Sequence, residues 1–343
     1  MIIENNVRRN RMPKNLEFGI QTNGIKHSHA DLMPNIDTRF HMAKETRLFD
    51  YVDKTPATDE VEQFLLASKK YNLPVRCGGW FYMLGRDKNL LIKNLQLAKT
   101  LGSSVHNIQL FSHNVSGEVI SDQDVANFYA FALEEGDKLN VNPCLEVHVN
   151  MWSEDFLRVD AVGYLVESMG LPFQITLDHS HIIFKIDNPI EQEVFCISDD
   201  IRTGKLILDP FKYGHICGNW ITRGWVRHCH ARSVIPNNPK NITAIDENGN
   251  HGRGIQYPFC NPGLDNYHEP WNEKLLEPWK EVVRQLMYYH ANNHDSQLGQ
   301  ISTEFISNFD YGEGCKYSLF EQAKACTSWM RDTWKEILEN APD

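Results

Sequence analysis

A chain of 343 residues with 41% apolar and 23% charged side chains has the composition of a soluble globular protein, with room for one large domain or two ordinary ones. Its formal net charge of −11 argues against a general nucleic-acid binder, which needs a basic face to displace counterions from phosphates. No apolar run approaches the roughly 20 residues of a membrane span, and the N-terminus lacks the apolar stretch of a secretory signal.

In chain order, the basic cluster Arg8, Arg9, Arg11 and Lys14 reads as a solvated tail. A first strand is predicted over Leu16 to Thr22, followed by a polar loop through Asn23, His27 and His29. A second strand spans Leu48 to Lys54, and Thr58 to Lys70 has the apolar spacing of a helix. The third strand, Pro74 to Tyr82, contains Gly78-Gly79-Trp80, where glycines allow close approach of backbone or ligand. Helix Lys88 to Leu101 leads to the fourth strand, Ser104 to Phe111, and Ser121-Asp122-Gln123-Asp124 opens the next helix as a capping sequence. Asn142 to Val149 is the fifth strand. Helix Glu154 to Met169, with Ser153 as its expected N-cap, leads to the sixth, Phe173 to Leu177. Short helices are expected from Pro189 to Val194 and near Asp199 to Gly204. Trp225 to His230 is the seventh strand, 300 to 306 the eighth, and Tyr317 to Leu338 a closing amphipathic helix.

Eight strands alternating with helices fit a (β/α)8 TIM barrel, one domain over residues 1–343. A doubly wound open sheet is disfavoured by the lack of a Gly-rich phosphate loop after the first strand, and no nucleotide cofactor is expected. The long Pro-, Asn- and Gly-rich βα loop at 235–277 reads as a lid or subunit interface. Eight cysteines without CxxC spacing, several in apolar contexts, suit reduced thiols in a cytoplasmic protein.

Polar residues in these apolar strands carry the chemistry. Glu146 and His148, two apart on the fifth strand, share a face, and a buried carboxylate needs compensation. Glu146, Asp178, His230 and Glu304 fall toward the ends of the fifth to eighth strands, where a barrel builds its active site. Three carboxylates and one imidazole suit Mn²⁺, Mg²⁺ or Co²⁺ better than a structural zinc site. His228 shares a strand face with His230, which lies nearer the strand end and is preferred. Trp80, Tyr82, Trp152 and Tyr257 lie at or beyond strand ends, where they would stack on a flat ligand.

Glu146, the Asp178-to-His181 pair, the run His230-Ala231-Arg232-Ser233 and Glu304 resemble the xylose-isomerase-like barrels, which include ketose epimerases, inosose dehydratases and abasic-site endonucleases. The resemblance implies a divalent metal, manganese above all, on Glu146, Asp178, His230 and Glu304, with His181 in contact with substrate or ligands. The Glu146-x-His148 pair, the His-rich loops and the segment Tyr257 to Trp279 most resemble the large subunit of bacterial C-glycoside deglycosidases, which act on 3-oxo-glycosides. That likeness implies a small β-sandwich subunit in a hetero-oligomer and His148 as the base removing the sugar C2 proton. A 3-oxo group acidifies that proton, an imidazole suits its transfer near neutral pH, and the enolate, offset by the metal, expels the aglycone. Arg232, His251, His179, Trp80 and His106 are expected around the substrate. The departures are specific. Simple ketose epimerases place a Glu and then an Arg after the seventh-strand His, unlike His230-Ala231-Arg232-Ser233, and the endonucleases need extra histidines, for which His106, His179 and His251 are the candidates. Besides lysis of a 3-oxo-C-glucoside, the competing readings are a sugar isomerase or 3-epimerase on free ketoses, a 3-oxo-O-glycoside lyase or hydrolase, and a non-catalytic sugar-binding barrel.

Overall fold

The computed structural model describes residues 14–28, 31–237 and 239–340; His29 and Arg8, Arg9 and Arg11 of the basic cluster lie outside them. The strands are β1 (Glu17–Gln21), β2 (Tyr51–Asp53), β3 (Val75–Tyr82), β4 (Val105–Leu110), β5 (Asn142–Val147), β6 (Ile175–Asp178) and β7 (Val226–Ala231). A hairpin of β8 (Asn241–Ile245) and β9 (His251–Gly252) precedes β10 (Gln300–Thr303). All but β8 and β9 close into one barrel, each strand parallel to its neighbours, with β10 completing the ring between β7 and β1. This is a (β/α)8 barrel.

Helices cover the outside, so outward strand residues are as apolar as a helix-covered parallel sheet requires. Polar side chains on the strands instead alternate inward: Thr176 and Asp178 on β6, His228 and His230 on β7, Ser302 on β10. Inside the ring, Tyr51, Cys77, Val105 and Cys144 form an apolar cluster separate from the main core. Tyr51 is fully buried and its hydroxyl lies 2.8 Å from Ser302 Oγ.

Three expectations change. A helix over Ile36–Thr46 occupies part of the stretch read as polar loop; Asn35 caps it, its side-chain oxygen accepting from Thr38 N at 2.8 Å. Its apolar stripe is thin, Ile36, Phe40 and Ala43, with Arg39 buried among them. Ser153 does not cap the following helix, which runs over Phe156–Ser168. Its hydroxyl donates to Glu146 O at 2.7 Å and accepts from His148 N at 3.1 Å, tying off the end of β5. Third, β5 stops at Val147 and β10 at Thr303, so His148 and Glu304 stand just past their strands.

Much of the loop after β7 is packed. Ile255, Tyr257 and Phe259 are buried, and Tyr257 N donates to Ser233 O at 2.8 Å. All eight cysteines are free thiols: six are buried, Cys260 is half-buried and Cys196 is exposed. No helix among the described residues is long and apolar enough to cross a membrane.

Candidate active site

Register brings the site together. Asp178 pairs with His230 across β6 and β7, His230 with Ser302 across β7 and β10, and Glu304 follows Ser302 on the same face. Glu146 on β5 completes the set. One ligand atom from each of Glu146, Asp178, His230 and Glu304 lies within 4.8 Å of the others, and all four residues are buried. His230 Nδ1 is 2.9 Å from Glu146 Oε1 and 3.3 Å from Glu304 Oε2, while its Nε2 is 3.1 Å from Asp53 Oδ2. His228 lies apart from these carboxylates, with Nε2 3.0 Å from Ser302 Oγ and Nδ1 3.3 Å from Asn107 Oδ1. It forms a second cluster with Asp53 and His230.

Arg232 knits the carboxylates: Nη1 donates to Asp178 Oδ2 at 2.8 Å and Nη2 to Glu304 Oε2 at 2.5 Å, and the guanidinium lies 4.5 Å from the Tyr311 ring centre. Burial pushes the Asp178 carboxyl up, but Arg232 and His181 outweigh it and hold the group well below the usual carboxylate range. Glu304 goes the other way. Burial, opposed only in part by His230 and Arg232, pushes it up to about 7. Burial would lower His230, yet the charges of Glu304 and Glu146 and the bond to Asp53 raise it well above an ordinary imidazole. Three hard oxygen donors and one nitrogen facing a common point fit a divalent cation such as Mn²⁺.

Asp53, missed in the sequence, is the partner that orients the imidazole. Burial would raise its carboxyl, but the bond to His230 brings it to about 2. A carboxylate on Nε2 leaves Nδ1 as the coordinating nitrogen, facing Glu146 and Glu304. Replacing Asp53 by Ala is expected to weaken Mn²⁺ binding about 10–100-fold by titration calorimetry; unchanged affinity would remove Asp53 from this role. Gln109, also missed, donates from Nε2 to Glu146 Oε2 at 2.8 Å, and its Oε1 is buried without a partner. Both residues carried a legible signal, a polar side chain at the C-terminal end of a strand.

His148 stands beside the cluster, its ring centre 4.3 Å from that of His181, whose Nε2 is 3.1 Å from Asp178 Oδ2. His148 Nδ1 lies 2.6 Å from Val149 O. A carbonyl only accepts, so Nδ1 carries the proton and Nε2 the lone pair. Burial and the neighbouring His181 lower its pKa to about 4, so the ring is neutral at physiological pH.

Four other expected residues stay outside the cluster. His106 faces away from the barrel interior, with Nε2 2.6 Å from Tyr82 Oη. His179 stacks on Trp279 and approaches its carbonyl at 3.2 Å. His251 belongs to β9 in the hairpin, with Nδ1 3.4 Å from Ala244 O. Trp80, 39% exposed on β3, is the one expected stacking residue that is exposed, since Tyr82, Trp152 and Tyr257 are core residues. Strand alternation separates His106 from Asn107, which faces inward, and a strand read without its register hides that choice.

No family model matches the chain, and no curated protein matches it in sequence. Among solved structures it is similar to D-allulose 3-epimerase from Methylomonas sp. (TM-score 0.54, 12% identity, 94% of this chain and 98% of that one). It is likewise similar to L-ribulose 3-epimerase (TM-score 0.54, 13% identity, 95% and 97%). A third is mannonate dehydratase from Streptococcus suis serotype 2 (TM-score 0.51, 9% identity, 96% and 98%). At these identities the likeness is one of fold.

Proposed function

We propose that the protein is a metal-dependent enzyme that removes a proton next to the carbonyl of a sugar, and that it cleaves 3-oxo-C-glucosides by β-elimination. One observation carries this reading: His148 is fixed as the Nδ1–H tautomer, with Nε2 as the lone-pair nitrogen, beside the buried cluster of three carboxylates and an imidazole. Glu146, Asp178, His230 and Glu304 would hold the ion. Mn²⁺ is preferred, and when bound it offsets charge on the 3-oxo oxygen as a Lewis acid.

His148 Nε2 takes the C2 proton, whose electron pair passes into the carbonyl to give the enolate. The enolate pair then forms C1=C2 and breaks the C1–aglycone bond, and the aglycone carbon takes a proton from the His148 imidazolium or from water. The neutral imidazole is ready to accept, and its low basicity keeps the proton available for return. Arg232, held by Asp178 and Glu304, fixes the carboxylates that would bind the ion. A small β-sandwich subunit is the proposed partner, with the segment after β7 as its docking surface.

Epimerisation of a free ketose is the second reading, favoured by Glu146 and Glu304 approaching one point from different strands, with Glu304 poised at about 7. Proton NMR in D₂O with Mn²⁺ separates the two. The protein, alone and with a small co-expressed partner, is offered a flavonoid 3-oxo-C-glucoside and, separately, a free ketohexose. Aglycone release that falls about 10²–10⁴-fold in His148→Ala is expected. Deuterium exchange or epimerisation of the ketose without any release would replace elimination by the second reading.

A further inference from the structure

Three ionisable side chains, Glu154, Lys185 and Glu191, lie buried away from the metal cluster, with half-buried Arg253 against them, and none has a part in the chemistry above. Glu154 Oε1 is 2.8 Å from Lys185 Nζ and 2.5 Å from Arg253 Nη2. Arg253 Nη2 is also 2.6 Å from Glu191 Oε2, and Lys185 Nζ is 2.8 Å from Glu191 O. Each comes from a connection between barrel strands: Glu154 after β5, Lys185 and Glu191 after β6, Arg253 in the insertion after β7.

A buried ionic network is seldom more stabilising than apolar packing of equal volume, because desolvation consumes the attraction. What it supplies is fixed geometry, and here the geometry converges on one turn. Glu154 Oε2 accepts from Asn150 N at 2.6 Å, and Arg253 Nη1 donates to Asn150 Oδ1 at 3.1 Å. Asn150 has φ 63°, a left-handed conformation that an L-residue seldom adopts and that persists when its surroundings hold it. The same turn begins with His148, whose N–H is bonded to Ser153 Oγ. Arg253 therefore holds Asn150 and Glu154, two residues of the segment that follows His148.

We infer that Arg253 is a positioning residue for His148: the insertion after β7 sets the orientation and tautomer of the imidazole through Glu154 and Asn150. The inference rests on the reading of His148 as the base, but its first readout does not need turnover. In the full-length protein loaded with diamagnetic Mg²⁺, ¹⁵N-histidine NMR identifies the His148 ring by its loss in His148→Gln. The parent is expected to show the Nδ1–H tautomer. Arg253→Met is expected to give a tautomer mixture and to lower kcat about 10-fold or more with little change in KM.

Arg253→Lys restores a charge but not the three-way grip, so it is expected to recover thermal stability without recovering the tautomer. Should Arg253→Met fail to fold, Asn150→Gly is the second variant. Glycine adopts φ 63° freely, so the turn survives while the Arg253 contact is lost. The same loss of tautomer order is expected there. An unchanged Nδ1–H tautomer and unchanged kcat in a folded variant would overturn the inference, leaving Arg253 as a staple. A tautomer that shifts in a protein whose parent releases no aglycone would support the positioning role and count against the elimination chemistry alone.

Discussion

Glu146→Gln is expected to abolish metal-dependent turnover, by a factor of at least about 10³, or roughly 4 kcal/mol of transition-state stabilisation. The substitution keeps the shape of the side chain, so Gln109 Nε2 still has an oxygen to donate to. It removes one of three charges that face a common point and the carboxylate nearest His230 Nδ1. A divalent ion then loses a hard anionic ligand. Added Mn²⁺ is expected to raise the melting temperature of the parent and not of the variant. A variant that bound Mn²⁺ and turned over like the parent would move the metal centre elsewhere or remove catalysis from this barrel.

The second large effect is on stability. Lys185→Met removes an ammonium with no solvent exposure from between Glu154 and Glu191, leaving Arg253 as the cation paired with both carboxylates. Breaking a buried pair from one side costs about 3–5 kcal/mol, and at this chain length about 3 kcal/mol lowers the melting temperature by roughly 4 °C. The two partners shift unequally. Burial lowers Lys185 despite the adjacent Glu154, whereas Lys185 and Arg253 overcome burial at Glu154 and hold its carboxyl low. The contacts decide for the charged pair at neutral pH, because Nζ sits at 2.8 Å from both Glu154 Oε1 and Glu191 O. A depressed carboxyl contributes stability that is complete above its unfolded pKa, about 4.3. That contribution is lost as pH falls through the lower folded value. The gap between parent and Lys185→Met, read from urea unfolding, is therefore expected to be widest near neutral pH and to narrow below about pH 4. A gap that stayed constant into acid would show that Glu154 gains nothing from the pairing.

The barrel was legible because its strands are short apolar runs that alternate with helical spacing, and the site was legible because charged residues interrupt those runs near their ends. Glu146, Asp178 and His230 stand out by that contrast alone. Asp53 was harder to see: its strand has three residues, and its role depends on reaching across the ring to β7. His106 stays outside the cluster because it lies near the N-terminal end of β4 and on its other face, and its partner, Tyr82, comes from β3. The helix over Ile36–Thr46 escaped notice because its buried stripe is thin and its capping signal is a single asparagine. Ser153 looked like a cap because a serine before a helix usually is one; nothing local says that its hydroxyl is already committed to the end of β5.

The distribution of thiols has a practical consequence. Cys196 is exposed in the same β6–β7 connection as Glu191, whereas six other cysteines are buried and burial raises the pKa of half-buried Cys260. A maleimide dye or nitroxide added at neutral pH therefore reaches Cys196 first, since accessible thiolate governs the rate of alkylation. The unmodified chain thus carries its own attachment point for a reporter, placed to follow the rim loops in real time as metal or substrate is added.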